Sequence, residues 1–193
     1  MKSIRTKILV YVLSVVIASF LVIGIISYLE VSKNVRNVTV DLTGQISKAV
    51  AGQLDETVHG WMNRVESAAS TARARTMNWE QAREALFDMS KSESAFETGL
   101  LAWPDGRAET TDGLTINIAD RSYFKAIFEK DAQYAVSEAL TSKVTQNPIF
   151  TIAFSIVNQG QKVGLMAFTV SLSKIAELVN SFKPLGQGYV VLV

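Results

Sequence analysis

An uncharged apolar stretch, Ile8 to Leu29, constrains this chain more than any other feature. It holds 22 residues, 15 of them Ile, Leu, Val or Phe. As a helix rising about 1.5 Å per residue it reaches about 33 Å, enough for a hydrocarbon core of about 30 Å. At roughly −0.3 to −0.6 kcal/mol each, the fifteen favour insertion by about 5–9 kcal/mol. Ser14, Ser19, Ser27 and the two tyrosines offset part of that. No face is polar, which argues against a buried helix of a soluble core. A cleavable signal peptide has a shorter apolar core ending in a small-x-small site, and Ser27-Tyr28-Leu29 is a poor one. The stretch therefore reads as an uncleaved transmembrane helix over 8–29. Lys2, Arg5 and Lys7 precede it with no acid among them. That excess predicts a cytoplasmic tip at 1–7, with 30–193 exported across the inner (plasma) membrane.

The exported part is long enough for one ordinary domain. The net charge of +1 gives no strong field for nucleic acid. There is no cysteine, so disulfides, thiolate metal sites and a cysteine nucleophile are excluded. The single histidine, His59, lies in a helical pattern beside Gly60 and Trp61 and reads as a surface or interface residue. No catalytic constellation, metal site or cofactor is expected. Gly186-Gln187-Gly188 is too short for a phosphate loop. Asn37-Val38-Thr39 matches a glycosylation acceptor, but a three-residue match carries no weight.

After the apolar stretch, Val35, Val38, Leu42, Ile46, Val50, Leu54, Val58, Trp61, Val65, Ala68 and Ala72 recur at a mean spacing of about 3.7. This predicts a nearly straight helix of about 45 residues, continuous with the first and running to about 75. Gly44, Gly52 and Gly60 fall eight apart and suggest close helix contacts. Asn78 is a cap for a second helix, with Gln81 completing a capping box. Then the period changes. Phe96–Trp103 and Arg107–Thr111 read as a hairpin around Pro104-Asp105-Gly106. Leu114–Ile118 is extended, Asp120 caps a short helix over Arg121–Glu129, and Tyr134–Thr141 is extended. Ile149–Val157 and Val163–Leu172 form a second hairpin, Ser173 caps a helix to about Phe182, and Tyr189–Val193 opens another strand. The expected class is α+β, an antiparallel sheet with helices against it. A strand with no partner after it predicts that the chain is a fragment of a longer protein.

Several of these segments resemble a known family. They are the start Met1-Lys2-Ser3-Ile4-Arg5-Thr6-Lys7-Ile8, the anchor running into a long helix, and Asp120-Arg121-Ser122-Tyr123-Phe124. With them go Val136-Ser137-Glu138 followed by Asn147-Pro148-Ile149, and Gly160-Gln161-Lys162-Val163-Gly164 leading to Val170-Ser171-Leu172. In this order they resemble the N-terminal part of a bacterial methyl-accepting chemotaxis protein, a transmembrane chemoreceptor with a double Cache sensor domain. The resemblance implies a PAS-like sheet with a ligand cavity, the membrane-distal module at 30–186 and the start of a proximal module at 187–193. It also implies a parallel homodimer, and cytoplasmic signalling partners reached through sequence beyond Val193.

In amino-acid-binding relatives, an Arg-x-Trp-Tyr segment meets the ligand carboxylate, a Tyr five residues earlier assists, and an Asp on the last strand holds the ammonium. By resemblance Arg121 is kept, Tyr123 replaces the Trp, Phe124 replaces the Tyr, Ile116 replaces the earlier Tyr, and Thr169 falls at the Asp. Arg121 still offers a bidentate fork to a carboxylate. Without an acid at 169 an ammonium lacks a counter-charge there. The favoured ligand is thus a small carboxylate, with Glu138 the one nearby acid able to hold an amine. Tyr123 and Tyr134, with Thr151 and Thr169, are candidate hydroxyl donors. Structural pairing of Arg121 with Asp120, Glu138 or a backbone carbonyl is the competing role. One of Tyr123 and Phe124 is expected to pack and the other to face the cavity. Trp103 and Phe150 read as core.

The expected function is ligand sensing coupled to a shift of the long helix across the membrane. The same sensor on a histidine kinase or diguanylate cyclase is the alternative. A pilin, which also runs an apolar helix into a long helix, carries an acid inside that stretch, and Ile8–Leu29 has none.

Overall fold

A computed structural model describes residues 4–181, although some side chains within 4–46 lie outside the description. The expected strand at Tyr189–Val193 and the proximal module at 187–193 also lie outside it. The chain divides into two units, Met1–Ala49 and Val50–Val193.

Helix α1, Ile4–Ala69, runs through that division. Within the first unit Phe20, Leu21, Val22, Ile23, Ile25, Ile26 and Leu29 are all exposed. Among the described residues no helix is long and apolar enough to cross a membrane. Part of the 8–29 stretch lies outside the described side chains.

The helix was expected to reach about 75, but it stops at Ala69. Thr71 turns to an extended backbone, and its hydroxyl donates to the Ala68 carbonyl and accepts from the Ala74 amide. A side chain that serves the backbone in this way competes with the helical ladder. It caps a new short helix, α2, Ala72–Arg75. Close contacts at Gly44, Gly52 and Gly60 are not made among the described residues, since a Cβ at each would meet open space; the other reading of the three, as weak spots in the helix, is untouched by this.

Helix α3, Trp79–Ser92, is capped by Asn78, whose side chain accepts from the Gln81 amide. The box is not closed, because the Gln81 side chain turns to Thr76 instead. The strands are β1 Phe96–Ala102, β2 Arg107–Thr110, β3 Thr115–Asn117, β4 Tyr134–Val136, β5 Leu140–Thr141, β6 Pro148–Asn158 and β7 Gln161–Ser171. They form one antiparallel sheet in the order β3-β2-β1-β7-β6-β4, with β5 also pairing β6. The long central hairpin closes at Gln159 and Gly160, both at positive φ.

Helix α4, Ser122–Phe128, connects β3 to β4. Its N-cap is Arg121, not the expected Asp120. The Asp120 carboxylate instead accepts from Lys143 Nζ at 2.6 Å. Helix α5, Leu172–Ser181, begins one residue before Ser173, whose hydroxyl bonds that of Ser171 rather than capping the helix.

The two faces of the sheet carry different cores. One face presents Phe96, Leu101, Ile152, Phe154, Met166 and Phe168 to Trp61, Val65 and Ala68 of α1 and to Leu86 of α3. Phe96 and Phe168 stack at 4.7 Å between ring centroids. Gly99 admits this packing, for a Cβ there would lie 2.8 Å from the Phe168 ring. The other face presents Leu100, Ala102, Ala153, Leu165 and Ala167 to Tyr123, Phe124 and Ile127.

Candidate functional site

Three threonines form a row across the centre of that second face. Thr98 of β1 pairs with Thr169 of β7, and Thr169 pairs with Thr151 of β6. A β-bulge puts Thr98 there. Phe96 faces Val170 and Thr98 faces Thr169, so Glu97 is the extra residue. Strict alternation would place Thr98 on the Phe96 face, and the bulge turns it to the other. The Thr169 hydroxyl repairs the ladder at this point, accepting from the Thr98 amide at 3.0 Å and donating to the Thr98 carbonyl. The Thr98 hydroxyl donates to Asp112 at 2.7 Å. The Thr151 hydroxyl is buried with no partner, and it is the only such side-chain N or O atom among the described residues. A buried hydroxyl left without a partner costs about 1–3 kcal/mol.

The row floors a cavity of about 20 Å³, room for about one water. Leu100, Ile116, Ile118 and Ile149 give it apolar walls. Tyr123 enters from α4, and Leu140, Ser142, Lys143 and Val144 enter from a strap over 140–147. The strap is tied to three separate elements. Arg121 Nη2 donates to the Thr141 carbonyl at 2.9 Å, and Lys143 Nζ donates to the Asn117 carbonyl and to Asp120. The bulged Glu97 accepts from Thr145 at 3.0 Å and from Asn147 at 2.6 Å. These side-chain bonds are partly exposed and each worth little, and the strap is held as well by the pairing of β5 with β6 and by the Ser142 amide on the Asn147 carbonyl.

The cavity is cationic. Arg121 and Lys143 line it, and no Asp or Glu does. Lys143 is paired with Asp120, and the Lys143 hydrogen bond holds the Asp120 carboxyl below its ordinary pKa. Arg121 has no ion-pair partner among the described residues. Its guanidinium spends one N–H on the Thr141 carbonyl, and four donors remain. Burial pushes the Tyr123 hydroxyl well above its usual pKa, so it stays protonated and able to donate.

Of the residues expected at a site, Arg121, Tyr123, Thr151 and Thr169 line this cavity. Phe124 does not. It is buried in the core behind Tyr123, with its ring 4.7 Å from that of Phe128. Tyr134 pairs with Phe154 and stacks on it at 5.4 Å, on the opposite face of the sheet. It lines a groove there with His59, Glu66 and Arg75. Glu138 lies outside the cavity, exposed, accepting from the Ser122 hydroxyl at 3.0 and 3.1 Å. Sequence reasoning did not single out Thr98, Ser142 or Lys143. A basic residue two after the short Leu140–Thr141 strand was the available signal for Lys143. Nothing local signalled the bulge that delivers Thr98.

No protein-family model matches the sequence, and no curated protein matches it. Solved structures do share its fold. The ligand-binding domain of the Pseudomonas aeruginosa amino acid chemoreceptor PctB, in complex with L-Gln, superposes with a TM-score of 0.64 at 21% identity, covering 75% of this chain and 60% of that one. The ligand-binding domain of the Pseudomonas fluorescens chemoreceptor CtaA, in complex with L-isoleucine, gives 0.60 at 17% identity, covering 69% and 57%. That of the Campylobacter jejuni chemoreceptor Tlp3, in complex with 4-methylisoleucine, gives 0.59 at 14% identity, covering 72% and 62%. The chain thus has the fold of a chemoreceptor ligand-binding domain and spans less than two thirds of the length of each of these neighbours.

Proposed function

We propose that this chain is the extracytoplasmic sensing part of a transmembrane chemoreceptor, and that it binds a small carboxylate in the cavity over the threonine row. The observation that carries this is the cavity's charge: an Arg121 with no ion-pair partner among the described residues, a Lys143 tied to Asp120, and no acid in the wall. The amino-acid ligands named for the structural neighbours bear an ammonium as well as a carboxylate. Here an ammonium would be desolvated beside Arg121 and Lys143 with Thr169 in place of a counter-charge. Arg121, with four free donors, takes the carboxylate, and Tyr123 and Thr151 supply hydroxyls.

The membrane anchor at 8–29 belongs to the same proposal. A run of exposed apolar residues from Phe20 to Leu29 is far more than a soluble surface carries and suits lipid. The distal module then occupies 30–186, the proximal one begins at 187–193, and two copies pair in parallel along α1. Ligand binding shifts the strap between positions. The shift biases α1 by no more than the difference in ligand affinity between the two states.

The test is thermal shift of the purified chain in detergent micelles against small carboxylates and small amines. Carboxylates raise the melting temperature and amines leave it unchanged. Arg121→Ala abolishes the shift without lowering the ligand-free value. Stabilisation by amines alone overturns the ligand class.

A further inference from the structure

We infer that the ligand is a short carboxylate bearing a second, neutral oxygen, such as a 2-hydroxy or 2-oxo acid. The inference rests on the carboxylate reading above. It comes from the one position left open in the threonine row. Thr98 and Thr169 have spent their hydroxyls on Asp112 and on the Thr98 backbone. Thr151, between them and the edge of the sheet, is fully buried, lines the cavity and has no partner. A strand threonine that needed only to fill space would be a valine, which has the same shape and no hydroxyl to satisfy. The Tyr123 hydroxyl also lacks a hydrogen-bond partner among the described residues and is held protonated.

The cavity therefore holds two kinds of unmet polarity. Arg121, partly exposed, calls for an anion, while the buried Thr151 hydroxyl calls for a neutral oxygen, with the Tyr123 hydroxyl beside it as a second donor. A purely aliphatic acid answers only the first. A second carboxylate would have to draw Lys143 away from Asp120, its partner at 2.6 Å, or shed its water beside neutral hydroxyls and apolar walls, and either is costly. An ammonium finds no acid in the wall. A hydroxyl or keto oxygen can accept from either hydroxyl at no charge penalty. The cavity of about 20 Å³ has room for about one water, so even a three-carbon ligand displaces the strap, and each added methylene displaces it further.

A three-carbon series tests this by calorimetry on the full chain in micelles: propionate, lactate, pyruvate, alanine and malonate. Lactate or pyruvate binds about tenfold more tightly than propionate, the ratio that one added hydrogen bond supplies. Thr151→Val brings lactate and pyruvate within about twofold of propionate measured in the same variant. Equal binding of propionate, lactate and pyruvate by the unmodified chain overturns the inference and leaves the carboxylate reading standing. So does an advantage that survives Thr151→Val, or tighter binding of malonate. Tighter binding of alanine than of any of the others, or no binding by the whole series, overturns both.

Discussion

The two faces of the sheet are built to opposite rules, although they share the same three central strands. The face against α1 and α3 is filled with Phe96, Leu101, Ile152, Met166 and Phe168, interlocked and almost wholly buried. The face against α4 replaces these with Ala102, Ala153 and Ala167 along one end and with threonines at the other. The alanines let α4 come close. The threonines lie beyond Tyr123, where a loop strap rather than a helix supplies the cover, and a cavity remains. One face maximises buried apolar area. The other gives up some area to keep a polar, partly unsatisfied space, as functional sites commonly do.

The contrast can be broken at its strongest point. Phe168→Ala, at the centre of the helix face, should destabilise by about 3–5 kcal/mol, read from denaturant unfolding. A loss below about 1 kcal/mol would mean that this face is not the one that holds the fold. The cavity face should answer with the opposite sign. Thr151→Val removes a buried, unpartnered hydroxyl at constant shape and should raise stability by about 1 kcal/mol in the same measurement. A loss of that size would show that the hydroxyl is satisfied in solution.

The smallest effect lies in the strap. The folded Asp120 carboxyl sits below its ordinary pKa because Lys143 donates to it. Its contribution to stability is therefore present above the ordinary carboxylate value of about 3.9 and is lost as pH falls through the lower, folded value. The Asp120 side chain is largely in water and that of Lys143 is about a third exposed, so the effect is slight. Asp120→Asn should flatten the acid limb of the unfolding free energy against pH without moving its value at pH 7 by more than about 0.5 kcal/mol.

Much of the fold was legible locally. The Asn78 cap, the turn at Gln159-Gly160 and both hairpins follow from turn and capping chemistry within a few residues. The end of α1 was not, because Thr71 breaks the helix by a side-chain bond that apolar periodicity does not register. The lining of the candidate cavity was legible in part: Arg121, Tyr123 and Thr169, placed by their resemblance to family segments, line it, as does Thr151. Tyr134 illustrates the limit: it sits on β4 with the right chemistry, yet strand parity turns it to the other face.

By itself the sequence determined which segments are helices and strands and that residues 8–29 form an apolar helix, because these depend on short-range periodicity. Only the tertiary structure decided which threonines share a face, because the register of β1 on β7 and the bulge at Glu97 are set by pairing between residues about 70 positions apart. The same pairing leaves Thr151 buried without a partner.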